Sequence, residues 1–148
     1  MKQYKQGFFH PVNNNKYKGH TPIVFRSSLE LKAYRSFDLN PKIISWGIES
    51  VVVPYISPAD GRLHRYFVDT NITVKNDNGE IKKYLIEIKP AKKCQPPVRS
   101  ARRSKTNLLR EDIEYAINTA KWNSAKQWAD KNGYKFIIMN ENHIENIK

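Results

Sequence analysis

The apolar positions change period along the chain. From Ser27 to about Phe37 the positions Ala33, Tyr34 and Phe37 fall on one helical stripe together with Glu30, and Ser27 stands where an N-cap belongs, with Glu30 three residues on as the partner of a capping box. Asn40-Pro41 ends that helix. Ile43, Ile44, Ile48, Val51, Val52, Val53 and Tyr55 predict one or two strands broken near Gly47, and Pro58, Asp60 and Gly61 supply a turn. A further strand is expected from about His64 to Val74, a turn at Asn76-Asp77-Asn78-Gly79, and another strand from Ile81 to Lys89, so that the last two form a hairpin. Leu108, Leu109, Ile113, Ala116, Ile117, Ala120, Ala125, Trp128 and Ala129 then keep helical spacing up to a stop at Gly133, and Tyr134 to Met139 reads as a last strand beside that helix, in the manner of a crossover unit.

Residues 1 to 26, with Asn13-Asn14-Asn15, Pro11, Pro22 and scattered aromatics, read as an irregular basic arm that orders only against the domain or a partner. The remainder, 27 to 148, reads as a single α/β domain with a central mixed sheet flanked by helices. At 148 residues the chain fits one compact unit with a real core. No apolar run approaches the roughly 20 residues that span a bilayer, which predicts a soluble protein with no membrane partner. Met1 to Gln6 is basic without a following apolar segment, so no secretory leader is expected. Cys94, the one cysteine, has no second thiol for a disulfide or zinc site.

Charge changes the picture. Lys and Arg number 26 against 14 Asp and Glu, a formal net charge of +12, and the mean hydropathy is −0.71. So basic a small domain points to a polyanion, with nucleic acid ahead of an anionic lipid surface. The basic residues are dense after the strand ending at Lys89: Lys92, Lys93, Arg99, Arg102, Arg103, Lys105 and Arg110 have no matching acid nearby until Glu111, which leaves them free to meet DNA phosphates. The plainer reading is a solvated loop. His64 and Arg65 can also contact a phosphate, with a solvated strand end as the alternative. The four histidines, His10, His20, His64 and His143, lack metal-ligand spacing, and no glycine-rich phosphate loop is present.

The most informative stretch is Tyr84-Leu85-Ile86-Glu87-Ile88-Lys89-Pro90. Alternation puts Glu87 and Lys89 on one face of the strand, with Tyr84, Ile86 and Ile88 on the other. Asp69 ends the apolar run Tyr66-Phe67-Val68, and hairpin pairing can bring it to Glu87. Two carboxylates with a backbone carbonyl such as that of Ile88 make a hard oxygen site suited to Mg²⁺, which keeps waters for a nucleophile. Lys89 can hold such a water and stabilise developing negative charge. The plainer reading is an exposed Glu87–Lys89 ion pair with Asp69 unrelated to it. Glu30 likewise has two readings, cap partner or site acid.

Phe67-Val68-Asp69 followed by Leu85-Ile86-Glu87-Ile88-Lys89 resembles the PD-(D/E)xK nuclease signature, with Val68 in place of the proline. Phe25-Arg26-Ser27-Ser28-Leu29-Glu30 resembles the first helix of the TnsA-like endonucleases of that superfamily. More closely, Tyr17-Lys18-Gly19, Trp46-Gly47, Pro54-Tyr55, His64-Arg65-Tyr66-Phe67-Val68-Asp69, Tyr84 to Pro90 and Ala120-Lys121-Trp122 make nearly the full length similar to the head completion nucleases of T-even-type phages. The resemblance implies a restriction-endonuclease-like core and a catalytic set of Glu30, Asp69, Glu87 and Lys89. It also implies a metal held by Asp69, Glu87, Glu30 and the Ile88 carbonyl, with Mg²⁺ the expected ion and Mn²⁺ the alternative. Largely sequence-nonspecific DNA would be the substrate, portal or neck proteins of the phage head the further partners, and the host cytoplasm or the virion head the location. Two other readings stand beside this one: a non-catalytic protein that binds DNA ends or the portal vertex, and a junction resolvase or transposon end-cutting endonuclease of the same superfamily.

Overall fold

The computed structural model describes residues 6–145. The first five residues of the arm, with Lys2 and Lys5, and the last three of the segment read as 27 to 148 lie outside them. In chain order the elements are β1 (Gly7–Phe9), β2 (Ile23–Phe25), α1 (Ser28–Leu39), β3 (Ile43–Ile48), β4 (Val52–Ile56), β5 (Leu63–Phe67), β6 (Thr70–Lys75), β7 (Ile81–Ile88), α2 (Lys105–Asn132), β8 (Tyr134–Met139) and α3 (Glu141–Glu145). The fold is mixed α/β. A central sheet has the order β3-β6-β7-β8, antiparallel except for the parallel pair β7–β8 that α2 connects.

Each face of that sheet is covered by a different helix. Ala33, Tyr34 and Phe37 of α1 pack on Trp46, Ile48, Ile72, Ile86 and Ile88, the stripe that helical spacing selects. Fully burying one such side chain stabilises the fold by about 1.5–3 kcal/mol. On the other face Trp122, Ala125 and Ala129 of α2 meet Leu85 and Phe136. Both faces of β7 are therefore enclosed. α2 begins with Ser104 accepting a hydrogen bond from the Asn107 amide and ends at Gly133, whose φ of 76° no branched residue adopts readily.

Three local expectations differ from the structure. The strand read from His64 to Val74 is two strands: β5 pairs with β4 in a separate two-stranded sheet, β6 joins the central one, and Val68-Asp69 turns the chain between them. Gly47 does not break a strand; it lies inside β3, because Lys18 donates its amide to the Trp46 carbonyl and a Cβ on Gly47 would stand 2.7 Å from the Lys18 carbonyl oxygen. The break falls instead at Glu49, a non-glycine residue with φ of 51°. Finally, the described part of the arm orders against the domain and contains two short strands in an otherwise irregular course. β1 and β2 pair from Gly7↔Phe25 to Phe9↔Ile23, and Phe9 and Ile23 enter the core under α1. Asp38 of α1 ties the same segment down, accepting hydrogen bonds from the amides of Val12 and Asn13 at 2.8 and 3.0 Å.

Candidate active site

β6 and β7 pair from Lys75↔Ile81 up to Thr70↔Ile86. The next step of this register sets Asp69 across from Glu87, at the end of the sheet where β6 begins and β7 ends. The turn at Val68-Asp69 is held there by its own backbone: Val68 donates to the Val51 carbonyl, and the Asp69 carbonyl accepts from the Glu49 amide. One Asp69 carboxylate oxygen accepts from the Ile88 amide at 2.8 Å, which locks the side chain against β7. Glu87 is 6% exposed. Its Oε1 accepts from the Tyr66 hydroxyl at 2.5 Å and its Oε2 lies 3.7 Å from the Lys89 ammonium. The alternative of an exposed Glu87–Lys89 pair is thereby excluded, since only Lys89 reaches solvent to any degree.

These groups open into a cavity of 640 Å³ at the end of β7, bounded across the way by Arg26 to Glu30 at the start of α1. The capping box is formed in part: the Glu30 amide donates to Ser27 Oγ at 3.1 Å, while the Glu30 carboxylate accepts from the Arg26 amide at 2.5 Å instead of from the N-cap residue itself. Both readings of Glu30 thus coincide in one side chain that caps α1 and lines the cavity. Among the described residues, no group of three or more His, Cys, Asp or Glu side chains is arranged to hold a metal ion; the carboxylates that line the cavity are Glu30, Asp69, Glu87 and Glu141. The Ile88 residue lines the same cavity.

Electrostatics mark this place. Burial pushes the Asp69 carboxyl well above the ordinary aspartate range, the nearby Glu87 charge pushes it further, and the Ile88 amide opposes both. Glu30 is raised as well, chiefly by burial, with Glu49 and Glu87 adding to it against Arg26. The Tyr66 phenol is raised by burial and by Glu87, which keeps its proton in place to donate to that carboxylate. Carboxylates crowded as hard oxygens at one cavity wall suit a divalent cation in the donor chemistry they offer.

Residues outside the expected set complete the surroundings. Tyr66 comes from β5, and Arg26 and Glu49 form an ion pair at 3.5 Å beside the cavity. Glu141 lines it too and accepts from the Ala91 amide at 2.7 Å. Spacing in the sequence gives no signal for Tyr66 or Glu49, because both arrive through turns whose geometry is tertiary; Arg26 was visible only as the neighbour of the N-cap.

The basic segment needs a correction. Arg99 holds Asp112 with contacts of 2.9 and 2.8 Å, Arg103 pairs with Glu111, and Lys93 lies 3.4 Å from Glu114. Acids of the first turns of α2 fold back over the segment, which a count of acids along the sequence could not anticipate. Lys92, Arg102, Lys105 and Arg110 have no carboxylate partner among the described residues. His64 is paired with Asp60 at 2.8 Å, and the Arg65 guanidinium lies over the Phe67 ring, on the outer face of β5.

The sequence profile of the TnsA-like endonuclease N-terminal family matches residues 40–141, which contain Asp69, Glu87 and Lys89. The chain belongs to that family. Its restriction-endonuclease-like fold is the mixed sheet flanked by α1 and α2 described above. A relative, the head completion nuclease of Enterobacteria phage T4, is 39% identical over 138 residues, covering 90% of this chain and 89% of the phage protein. α1, with Glu30, precedes the stretch matched by the TnsA-like profile.

Proposed function

We propose that this protein is a metal-dependent DNA nuclease that hydrolyses phosphodiester bonds and acts in phage head completion, on packaged DNA or its ends before head and tail join. One observation carries the reading: Asp69 and Glu87 are drawn together at the end of β7 with Lys89 3.7 Å from Glu87, at the wall of an open cavity. A structural role would leave such acids paired with arginine or spread over the surface. The name of the phage relative supports the setting.

In this reading Asp69, Glu87 and the Ile88 carbonyl hold Mg²⁺, or Mn²⁺ in its place, and Glu30 completes or orients the shell from α1. When bound, the ion supplies Lewis acidity that eases deprotonation of water and offsets charge on the phosphate. The Ile88 amide keeps Asp69 in one orientation. Lys89 positions the attacking water and stabilises charge that develops on the phosphate oxygens. The products expected are a 5′-phosphate and a 3′-hydroxyl. Unpaired Lys92, Arg102, Lys105 and Arg110 are the first candidates to meet the DNA backbone, without reading its sequence. Portal or neck proteins of the head would be its partners, in the host cytoplasm during assembly or in the virion head.

The test is plasmid DNA incubated with purified protein in Mg²⁺ and in EDTA, with Asp69→Ala as control. Loss of intact plasmid only with metal and only with Asp69 is expected. Plasmid that is retarded in a gel but never cut would replace the enzyme with a DNA-binding structural protein.

A further inference from the structure

β5 has no backbone hydrogen bonds to the central sheet, yet it reaches the site through one side chain. Tyr66, 4% exposed, donates its hydroxyl to Glu87 Oε1 at 2.5 Å across 21 residues of sequence. The ring is fixed from two directions. Its backbone is paired with Val53 in the β4–β5 hairpin, and the ammonium of Lys121, from α2, stands 5.5 Å from its centroid and 5.8 Å from that of Tyr55. A cation over the ring face holds it in place and draws electron density from the phenol, which makes the hydroxyl a stronger donor.

We propose that Tyr66 is a positioning residue for Glu87, engaging Oε1 so that Oε2 alone is presented beside Lys89 to a divalent cation. The inference rests on the nuclease reading above and adds to it the group that orients a ligand. A glutamate carboxylate turns freely about its last torsion unless one oxygen is engaged. Here the phenol engages it, and the buried surroundings make that bond costly to lose. Partners of this kind, which hold a metal's ligand without touching the metal, change affinity or activity about 10–100-fold when removed. An incidental bond that merely satisfies a buried acid would change the stability of the fold and leave the affinity for metal alone.

The experiment is calorimetric titration of Mn²⁺ into the metal-free full-length protein without DNA, for wild type, Tyr66→Phe, Lys121→Met and Asp69→Asn, alongside melting temperatures. Tyr66→Phe keeps the ring and should bind Mn²⁺ about 10-fold more weakly, with plasmid cleavage rescued in part at high metal concentration. Wild-type affinity in a folded Tyr66→Phe protein overturns the proposal. Should that variant not fold, Lys121→Met leaves the phenol in place and removes the cation from its ring; weaker Mn²⁺ binding supports the proposal and unchanged binding overturns it. The two readings separate cleanly: if Asp69→Asn abolishes binding and Tyr66→Phe does not alter it, only the role of Tyr66 falls, whereas wild-type protein that takes up no Mn²⁺ removes the nuclease reading and this inference with it.

Discussion

Asp69 carries a charge that the fold disfavours. Its carboxyl is raised by burial and by Glu87, so the folded protein holds a proton there that the unfolded chain has already released. The sign follows from linkage: the contribution of Asp69 to stability is greatest below the ordinary value of 3.8 and falls as pH rises from there through the raised folded value, after which the loss is constant. Asp69→Asn removes this loss while its amide oxygen still accepts from Ile88. Measured in EDTA, the melting temperature of the variant should match wild type at the acid end and exceed it at neutral pH, and Mg²⁺ should raise wild type only. A variant less stable than wild type at every pH would make Asp69 structural. Lys89→Ala should lose most of its turnover, by a factor of about 100 or more as for other groups that stabilise a developing oxyanion, with Mn²⁺ affinity nearly kept; a near-wild-type rate would remove Lys89 from the mechanism. Glu87 and Lys89 were legible in the sequence because alternation along a strand is local, and Asp69 because the Asn76–Gly79 turn sets the hairpin that brings it to Glu87. The burial that separates them from an exposed ion pair was not.

At the scale of elements, α1 joins the cavity to the core. Ser27 and Glu30 were legible as a cap, and the structure adds that the Glu30 carboxylate engages the Arg26 amide at the cavity rim. Glu30→Ala should lower stability by about 1 kcal/mol, and, if Glu30 serves the proposed site, should remove most of the cleavage as well; an active variant with only the stability loss restricts Glu30 to capping. At the other end of α1, Asp38 is 2% exposed and accepts from two amides of the N-terminal segment. Its removal takes a charged acceptor from two part-buried amides and leaves a gap where the buried carboxylate stood. Asp38→Ala should cost about 3 kcal/mol by chemical denaturation, without changing Mn²⁺ affinity. Sequence reading passed over Asp38 because its partners lie 25 and 26 residues away, in a segment with no apolar period.

For the whole molecule, the net charge of +12 sets how it meets DNA. Arg99 and Arg103 are already matched by Asp112 and Glu111, so alanine there should alter DNA affinity little. Arg102→Ala with Arg110→Ala should instead lower affinity and reduce the salt slope by roughly 1 unit for each phosphate that is no longer neutralised, with metal binding unchanged. An unchanged slope in the folded double variant would move the DNA path to another face. Among the described residues no helix is long and apolar enough to cross a membrane.

By itself the sequence determined the order of the central elements, the α1 stripe, the β6–β7 hairpin, the crossover through α2 and the identity of the acids and lysine at the end of β7. These follow from side-chain periodicity, turn chemistry and caps, which act over a few residues. Only the tertiary structure decided that the run from His64 to Val74 divides between two sheets, that Arg99 and Arg103 are neutralised by acids of α2, and that Tyr66 reaches Glu87. Each of these joins residues through space across a turn or a packed face, and no local period encodes which face a distant element covers.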